Sequence, residues 1–407
     1  MNKRSWLALV GGILLYALTV VLVRQTFTSQ VPGANDFYSR WKGAQLFVVE
    51  GLDPYSEEAS LEIQIGMYGR PALPDEDQVL FVYPFYTIFT IWPLVWLPYD
   101  WVQAIWLVTL MGSMLAGVYI ILQLLDWRPS LWLLAVIMIW TVLNYNSVRT
   151  IILGQYAGLI FLWLMACLVA LRRRADLLAG ALLALTTIKP QMVFLVIPAL
   201  LLWALWQRRW RFVAGFTSSM IILVGLSFLL LPGWMVGFIE QASAYPGYTF
   251  TGSPLWVITG HYFPQLGTPV ENLLIVLFMI YLLVRGRSLL GESTVSTEFL
   301  IVISLTLILA NMIVVRTATT NYIVMYLPLF LGLQAVSRAS GKVVVAALLL
   351  SMLVGFWWLF LATISGDTEA PINYLPLPVV LMIMLVWGGD WLRRDAGPGN
   401  KAAPVAT

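Results

Sequence analysis

Apolar runs of bilayer length are what most restrict the fold of this chain. A hydrocarbon core of about 30 Å takes roughly 20 helical residues to cross. Runs of that order recur at 6–23, 101–125, 130–147, 154–171, 176–188, 190–206, 211–231, 270–284, 297–315, 321–337, 343–364 and 375–391. In lipid every backbone donor and acceptor must be satisfied inside the segment, so such runs predict helices. The expected fold class is an all-α polytopic membrane protein with about 12 transmembrane helices. The runs 176–188 and 190–206 are short and meet at Lys189-Pro190. A further run, 85–97, is shorter, contains Pro93 and lies between Pro84 and Pro98. It reads as a half-inserted or re-entrant segment rather than a crossing. The first run is too long for a signal-peptide core and no small-x-small cleavage site follows it, so it is expected to stay as the first span.

Composition then excludes several functions. Apolar residues make up 60% of the chain and charged residues 11%, against about 25% charged in an average protein. The basic residues lie in short clusters between apolar runs, which is unlike a nucleic-acid surface, so no nucleic-acid partner is expected. The single Cys167 and single His261 leave no disulfide framework and no histidine-cluster metal site, and no cofactor is expected.

Basic residues also orient the spans. With the N-terminus in the cytoplasm, 16 of the 23 Lys and Arg fall in inside loops, as the positive-inside rule requires. The seven outside are Arg24, Arg40, Lys42, Arg70, Arg149, Lys189 and Arg316. Counting 85–97 as a crossing would break this alternation. Residues 1–394 are read as one transmembrane domain in a multi-pass cell (plasma) membrane protein, and 395–407 as a disordered cytoplasmic tail.

Two outside loops are large. Loop 24–84 carries nine acids and four bases, and 232–269 is aromatic and nearly uncharged. Aromatic faces of that kind suit sugars or lipid headgroups, and equally an interfacial belt. Within the first loop Phe37, Trp41, Ala44, Phe47 and Val48 recur at helical spacing, with Ser39, Arg40, Lys42 and Gln45 between them. That pattern predicts an amphipathic interfacial helix along the membrane surface. Asn35 or Asp36 would cap its start, Gly51 would end it, and Asp53-Pro54-Tyr55 would turn the chain away.

Polar residues gather at the outside ends of spans: Asp36; Asn144, Asn146, Arg149 and Gln155; Lys189; His261; Arg316 and Asn321. Charges at a membrane boundary are costly and usually face a cavity or a partner. Each also has a plainer reading. Asp36 could be a helix cap, Lys189 a snorkelling side chain, Arg316 the partner of a loop acid, and Gln155 part of a small-residue helix contact with Gly154 and Gly158. One outside carboxylate with several cations suits a group transfer. Asp36 would take the proton of an acceptor hydroxyl, while Lys189 and Arg316 would stabilise a leaving phosphate. A sugar carried on a lipid phosphate fits, with its tail between spans and its sugar at the outside face. A flippase or transporter of a lipid-linked sugar is the alternative, although no internal repeat is visible.

The strings Asp36-Phe37-Tyr38, Gly51-Leu52-Asp53-Pro54-Tyr55, Phe81-Val82-Tyr83-Pro84-Phe85 with Pro93-Leu94, Gly154-Gln155, and Ala179-Gly180 through Ile188-Lys189-Pro190 appear in this order. Together they resemble the GT-C membrane glycosyltransferases, specifically glycosyltransferase family 87, whose members use polyprenol-phosphate-mannose. Asn321 stands beside Tyr322 where that family often carries a histidine. The resemblance implies a GT-C fold and a catalytic base at Asp36; donor-phosphate contacts are expected at Lys189 and Arg316, and substrate contacts at Gln155, His261, Tyr55 and Asn321. It implies inversion at the anomeric carbon and no metal. The expected partners are a polyprenyl-phosphate sugar donor, a glycan or glycolipid acceptor, and membrane lipids.

Overall fold

The computed structural model describes residues 3–30, 36–249, 252–366 and 369–394. Among these residues every regular element is helical and there is no strand. Seven helices are long and apolar enough to cross a bilayer: Ser5–Thr28, Tyr99–Leu124, Trp210–Leu230, Gly267–Gly291, Thr319–Ser340, Lys342–Thr363 and Pro371–Gly388. A bent pair, Leu131–Leu143 with Tyr145–Ile152, would make eight if counted as one span, the bend being 48°. The chain is therefore an integral membrane protein. The tail after Asp395 lies outside the described residues.

The other apolar runs form helices of 10–17 residues among the described residues, because apolar sequence continues where helix does not. Run 154–171 opens on Gly154, which adopts φ +66°, a left-handed value that glycine takes without strain. Its helix, Ala157–Arg172, is 16 residues long. Run 190–206 spends its first residues on a 3₁₀ turn, Pro190–Met192, before the 11-residue helix Val196–Trp206. Residues Phe85–Leu94 form a short broken helix, below the length of a crossing.

The described residues gather into two compact units. One comprises Met1–Ser113, Thr150–Gly158 and Ile221–Phe250; the other comprises Met114–Arg149, Leu159–Met220 and Thr251–Thr407.

In the first unit, the opening helix touches Tyr99–Leu124 through Val20 against Ala104 and Val108. It leaves Leu7, Ile13, Leu14 and Leu15 exposed, as a lipid-facing helix must. The predicted amphipathic helix forms as Asp36–Gln45, continues as a π-helical turn Leu46–Glu50, and ends on Gly51 at φ +72°. Much of its apolar face is packed against protein. Phe37, Trp41, Ala44 and Leu46 are buried by protein, and Phe37 stacks on Trp106 with ring centroids 4.1 Å apart. Trp106 donates its indole N–H to the carbonyl of Gly154 at 2.8 Å. The stripe is thus covered by aromatic side chains of a span and a loop, which satisfies the same amphipathic pattern without lipid. The expected turn follows: Tyr55 N–H donates to the Asp53 carboxylate at 2.9 Å, and Ser56 caps the helix Glu57–Tyr68.

In the second unit the 17-residue helix Thr297–Ile313 is buried from Phe299 to Met312, so it forms the core that other helices surround. Gly180 and Gly215 allow a close crossing. A Cβ on Gly180 would lie 2.2 Å from the Phe212 carbonyl oxygen, and one on Gly215 would lie 2.3 Å from that of Leu177. Small residues let backbones approach in this way. The buried Arg209 bonds the Asp176 carboxylate and the Leu171 carbonyl, fixing the ends of these helices.

Candidate active site

The acid singled out in the sequence is the first residue of the helix Asp36–Gln45. A carboxylate in a first helical turn faces free backbone N–H groups and the positive end of the helix dipole. Asn35, the other candidate cap, lies outside the described residues. The side-chain amide of Gln155 donates to an Asp36 carboxylate oxygen. Gln155 reaches it from the turn that Gly154 makes between the helices Tyr145–Ile152 and Ala157–Arg172.

One turn further along, Arg40 donates back to the Asp36 carbonyl and to Ser39 Oγ. Its guanidinium lies 4.6 Å from the centroid of the Tyr83 ring. Burial opposes the charge of Arg40, but Tyr83, Asp36, Tyr245 and Asp77 outweigh it and hold the side chain as a guanidinium. Tyr83 is itself fixed from behind, because Tyr55 donates its hydroxyl to the Tyr83 carbonyl at 2.6 Å.

Asp77 brings a second carboxylate into range. Its loop is pinned by Tyr68, whose hydroxyl donates to the Asp77 carbonyl at 2.9 Å, and by the Arg70–Glu76 pair at 2.6 Å. Its pKa is pushed above the usual carboxylate range, first by crowding from the protein and then by the Asp36 charge, against the Val79 N–H and Arg40. The residue still reaches solvent, which tempers that shift. Tyr245 and Tyr248, from the helix Trp234–Tyr248, feel the Asp77 charge as well. Burial is the main cause of their raised pKa, so both remain neutral phenols. The Tyr248 hydroxyl is buried with no hydrogen-bond partner among the described residues. An orphaned buried hydroxyl within range of the Asp77 carboxylate and the Arg40 guanidinium is suited to a polyhydroxylated ligand.

The second unit holds the other predicted residues. Lys189 sits between two 3₁₀ turns, Thr186–Ile188 and Pro190–Met192, and is buried. Arg316 lies over Trp256, 5.9 Å from the ring centroid. Asn321 is buried and donates to Thr317 Oγ1 at 3.1 Å. His261 is exposed, edge-on to Tyr262. Arg149 pairs with Glu369 at 3.8 Å, and in the first unit Arg24 pairs with Asp100 at 2.7 Å. These two outside cations therefore have acidic partners, which the sequence reading had not found for them. Asn144 is a capping residue, bonded to Trp140, Thr141, Ser147 and Tyr326.

Asp36, Tyr55 and Gln155 thus share the first unit, with Asp36 and Gln155 in direct contact and Tyr55 behind Tyr83. Lys189, His261, Arg316 and Asn321 belong to the second. Sequence reasoning missed Arg40, Asp77, Tyr83 and Tyr245 as neighbours of Asp36, Tyr248 as a neighbour of Asp77, and Glu369 as the partner of Arg149. Only Arg40 had a local signal, its i, i+4 spacing from Asp36. Among the described residues no three His, Cys, Asp or Glu side chains are grouped as metal ligands.

Residues 81–324 match the family model of glycosyltransferase family 87. No curated protein and no solved structure matches the chain. The matched stretch includes Tyr83, Gln155, Lys189, Tyr245, His261, Arg316 and Asn321, and begins after Asp36, Arg40, Tyr55 and Asp77.

Proposed function

From the premise that this chain belongs to glycosyltransferase family 87 and is a glycosyltransferase, we propose that it transfers a hexose, mannose by the family resemblance, from a polyprenyl phosphate to an acceptor hydroxyl. The reaction takes place on the extracytoplasmic face of the plasma membrane, in a GT-C fold, with inversion at the anomeric carbon. Its acceptor is a glycan or glycolipid.

The observation that carries this reading is the contact between Gln155 and the carboxylate of Asp36, at a helix N-terminus and one turn from Arg40. The acceptor oxygen bonds to the anomeric carbon while the bond from that carbon to the phosphate oxygen breaks. The acceptor proton passes to a carboxylate oxygen of Asp36, and polyprenyl phosphate leaves. Gln155 aims the carboxylate by donating a hydrogen bond to it at the start of the helix. Lys189 and Arg316 are proposed as contacts of the donor phosphate, where cations stabilise the charge of the leaving group. Tyr245 and Tyr248 are proposed to offer the sugar aromatic faces and a hydroxyl. His261 and Asn321 are proposed as further substrate contacts, Asn321 standing where the family often carries a histidine.

An assay with polyprenyl-phosphate-mannose and the Asp36→Asn enzyme tests the base. Turnover equal to wild type in a folded D36N protein would sink that assignment.

A further inference from the structure

A cavity of about 760 Å³ opens in the second unit, away in sequence from every residue assigned above. Its wall is formed by the end of the helix Tyr99–Leu124, the turn through Pro129, the start of Leu131–Leu143 and the end of Ala157–Arg172. Arg128, Arg172 and Arg173 line it, with Asp126, Trp127 and Tyr119. We infer that this cavity binds the phosphate-bearing headgroup of an anionic membrane lipid.

The three guanidiniums differ in what they do. Arg172 turns inward and donates to the carbonyls of Gln123 and Leu124 at 2.9 and 3.0 Å, and it pairs with Asp126. It therefore closes the open carbonyl end of the long helix and makes the wall rigid. Gln334 fixes the same turn by donating to the Leu125 carbonyl at 2.7 Å. Asp126, the one acid in the lining, is taken up by Arg172. Among the described residues no carboxylate pairs with Arg128 or Arg173, so two positive charges at the cavity are left without a protein counter-ion. Lys342 adds a third cation nearby, 5.8 Å from the ring centroid of Trp132.

Size and setting fit a lipid. Ligand pockets of roughly 300–1,000 Å³ hold small molecules, and the cavity adjoins exposed apolar side chains, Leu131 and Trp132, along which acyl chains can run. The charge bias of the loops puts this end of the spans at the cytoplasmic face, where anionic lipids meet basic pockets between helices. Topology alone asks for basic residues in such a loop. It does not ask for those residues to line one open cavity, where no carboxylate among the described residues pairs with Arg128 or Arg173.

Protein purified in detergent, incubated with mixed micelles of phosphatidylglycerol and phosphatidylcholine and analysed by native mass spectrometry, tests the inference. Wild type should retain phosphatidylglycerol over phosphatidylcholine by on the order of tenfold, since each arginine near the headgroup adds several-fold. R128Q/R173Q should lose most of that preference, and R128K/R173K should keep most of it. Equal retention of the two lipids by wild type would overturn the inference, as would an undiminished preference in R128Q/R173Q. Displacement of the lipid by inorganic phosphate at comparable concentration would assign the cavity to a soluble phosphate and overturn the lipid reading. Should the glutamine variant fail to fold, the wild-type comparison and the phosphate competition still decide.

Discussion

Gln155 donates a hydrogen bond to the carboxylate of Asp36 across 119 positions of sequence. Two strings far apart in the sequence, the start of the first loop helix and a Gly-Gln turn between later helices, meet in one contact. The contact separates two roles that substitution can tell apart.

Replacing Asp36 by Asn should lower kcat by roughly 10²–10⁴-fold, the usual weight of a general base. Gln155→Leu should cost less, roughly 10–100-fold, because it removes one hydrogen bond to a charged group while leaving the base in place. Kinetics on both purified variants, with circular dichroism to verify folding, give the comparison. A Gln155→Leu loss as large as that of D36N would mean that the amide does more than aim the carboxylate.

Tyr55→Phe should lower stability by about 1 kcal/mol, since it strips the Tyr83 carbonyl of its 2.6 Å hydrogen bond in a buried place. Thermal unfolding in detergent reads this. Because Tyr83 carries the ring beneath Arg40, a rise in KM is expected alongside.

The pH response of Glu369 has a definite sign. Burial is the main influence and raises its pKa above the ordinary 4.5, with Tyr145, Thr319 and Arg149 opposing. An acid whose folded pKa is raised binds more protons folded than unfolded between the two values. Its contribution is complete below about pH 4.5 and is lost as pH rises through the folded value. The stability of wild type relative to Glu369→Gln should therefore fall as pH rises above 4.5. If the 3.8 Å pair with Arg149 dominated instead, the difference would grow. Unfolding midpoints of the two proteins across acid to neutral pH distinguish the cases.

Gly180→Ala should destabilise by 1–3 kcal/mol or more (about the cost of overpacking), because the new methyl meets the backbone of Phe212 and Phe216 at 2.2 and 2.4 Å. Gly225→Ala, with nothing within 4 Å, should be neutral or slightly stabilising. Similar losses in both would remove the close crossing from the explanation.

The sequence by itself determined the class of molecule. Runs of apolar residues near bilayer length leave helix as the one structure that satisfies the backbone in lipid. Gly51 and Asp53-Pro54-Tyr55 were legible because turns and helix ends depend on a few neighbouring residues. Motif order across residues 36–190 carried the family resemblance, and the matched stretch 81–324 places the chain in that family. An enzyme reading consequently stands in place of the transporter alternative.

Tertiary structure decided what those elements touch. The stripe of Phe37 and Trp41 is equally good against lipid or protein, and only the packing of Trp106 and Tyr99 selects protein. Hydropathy could not show where runs 154–171 and 190–206 stop being helix, since Gly154 and Pro190 break the backbone without interrupting the apolar character. Arg149 and Glu369 are far apart in sequence, and their pairing has no local signature. The same holds for Asp36, whose neighbours Asp77, Tyr83, Tyr245 and Gln155 arrive from four separate segments. Periodicity and composition are local quantities, whereas a site of this kind is a long-range coincidence of side chains that only the folded chain creates.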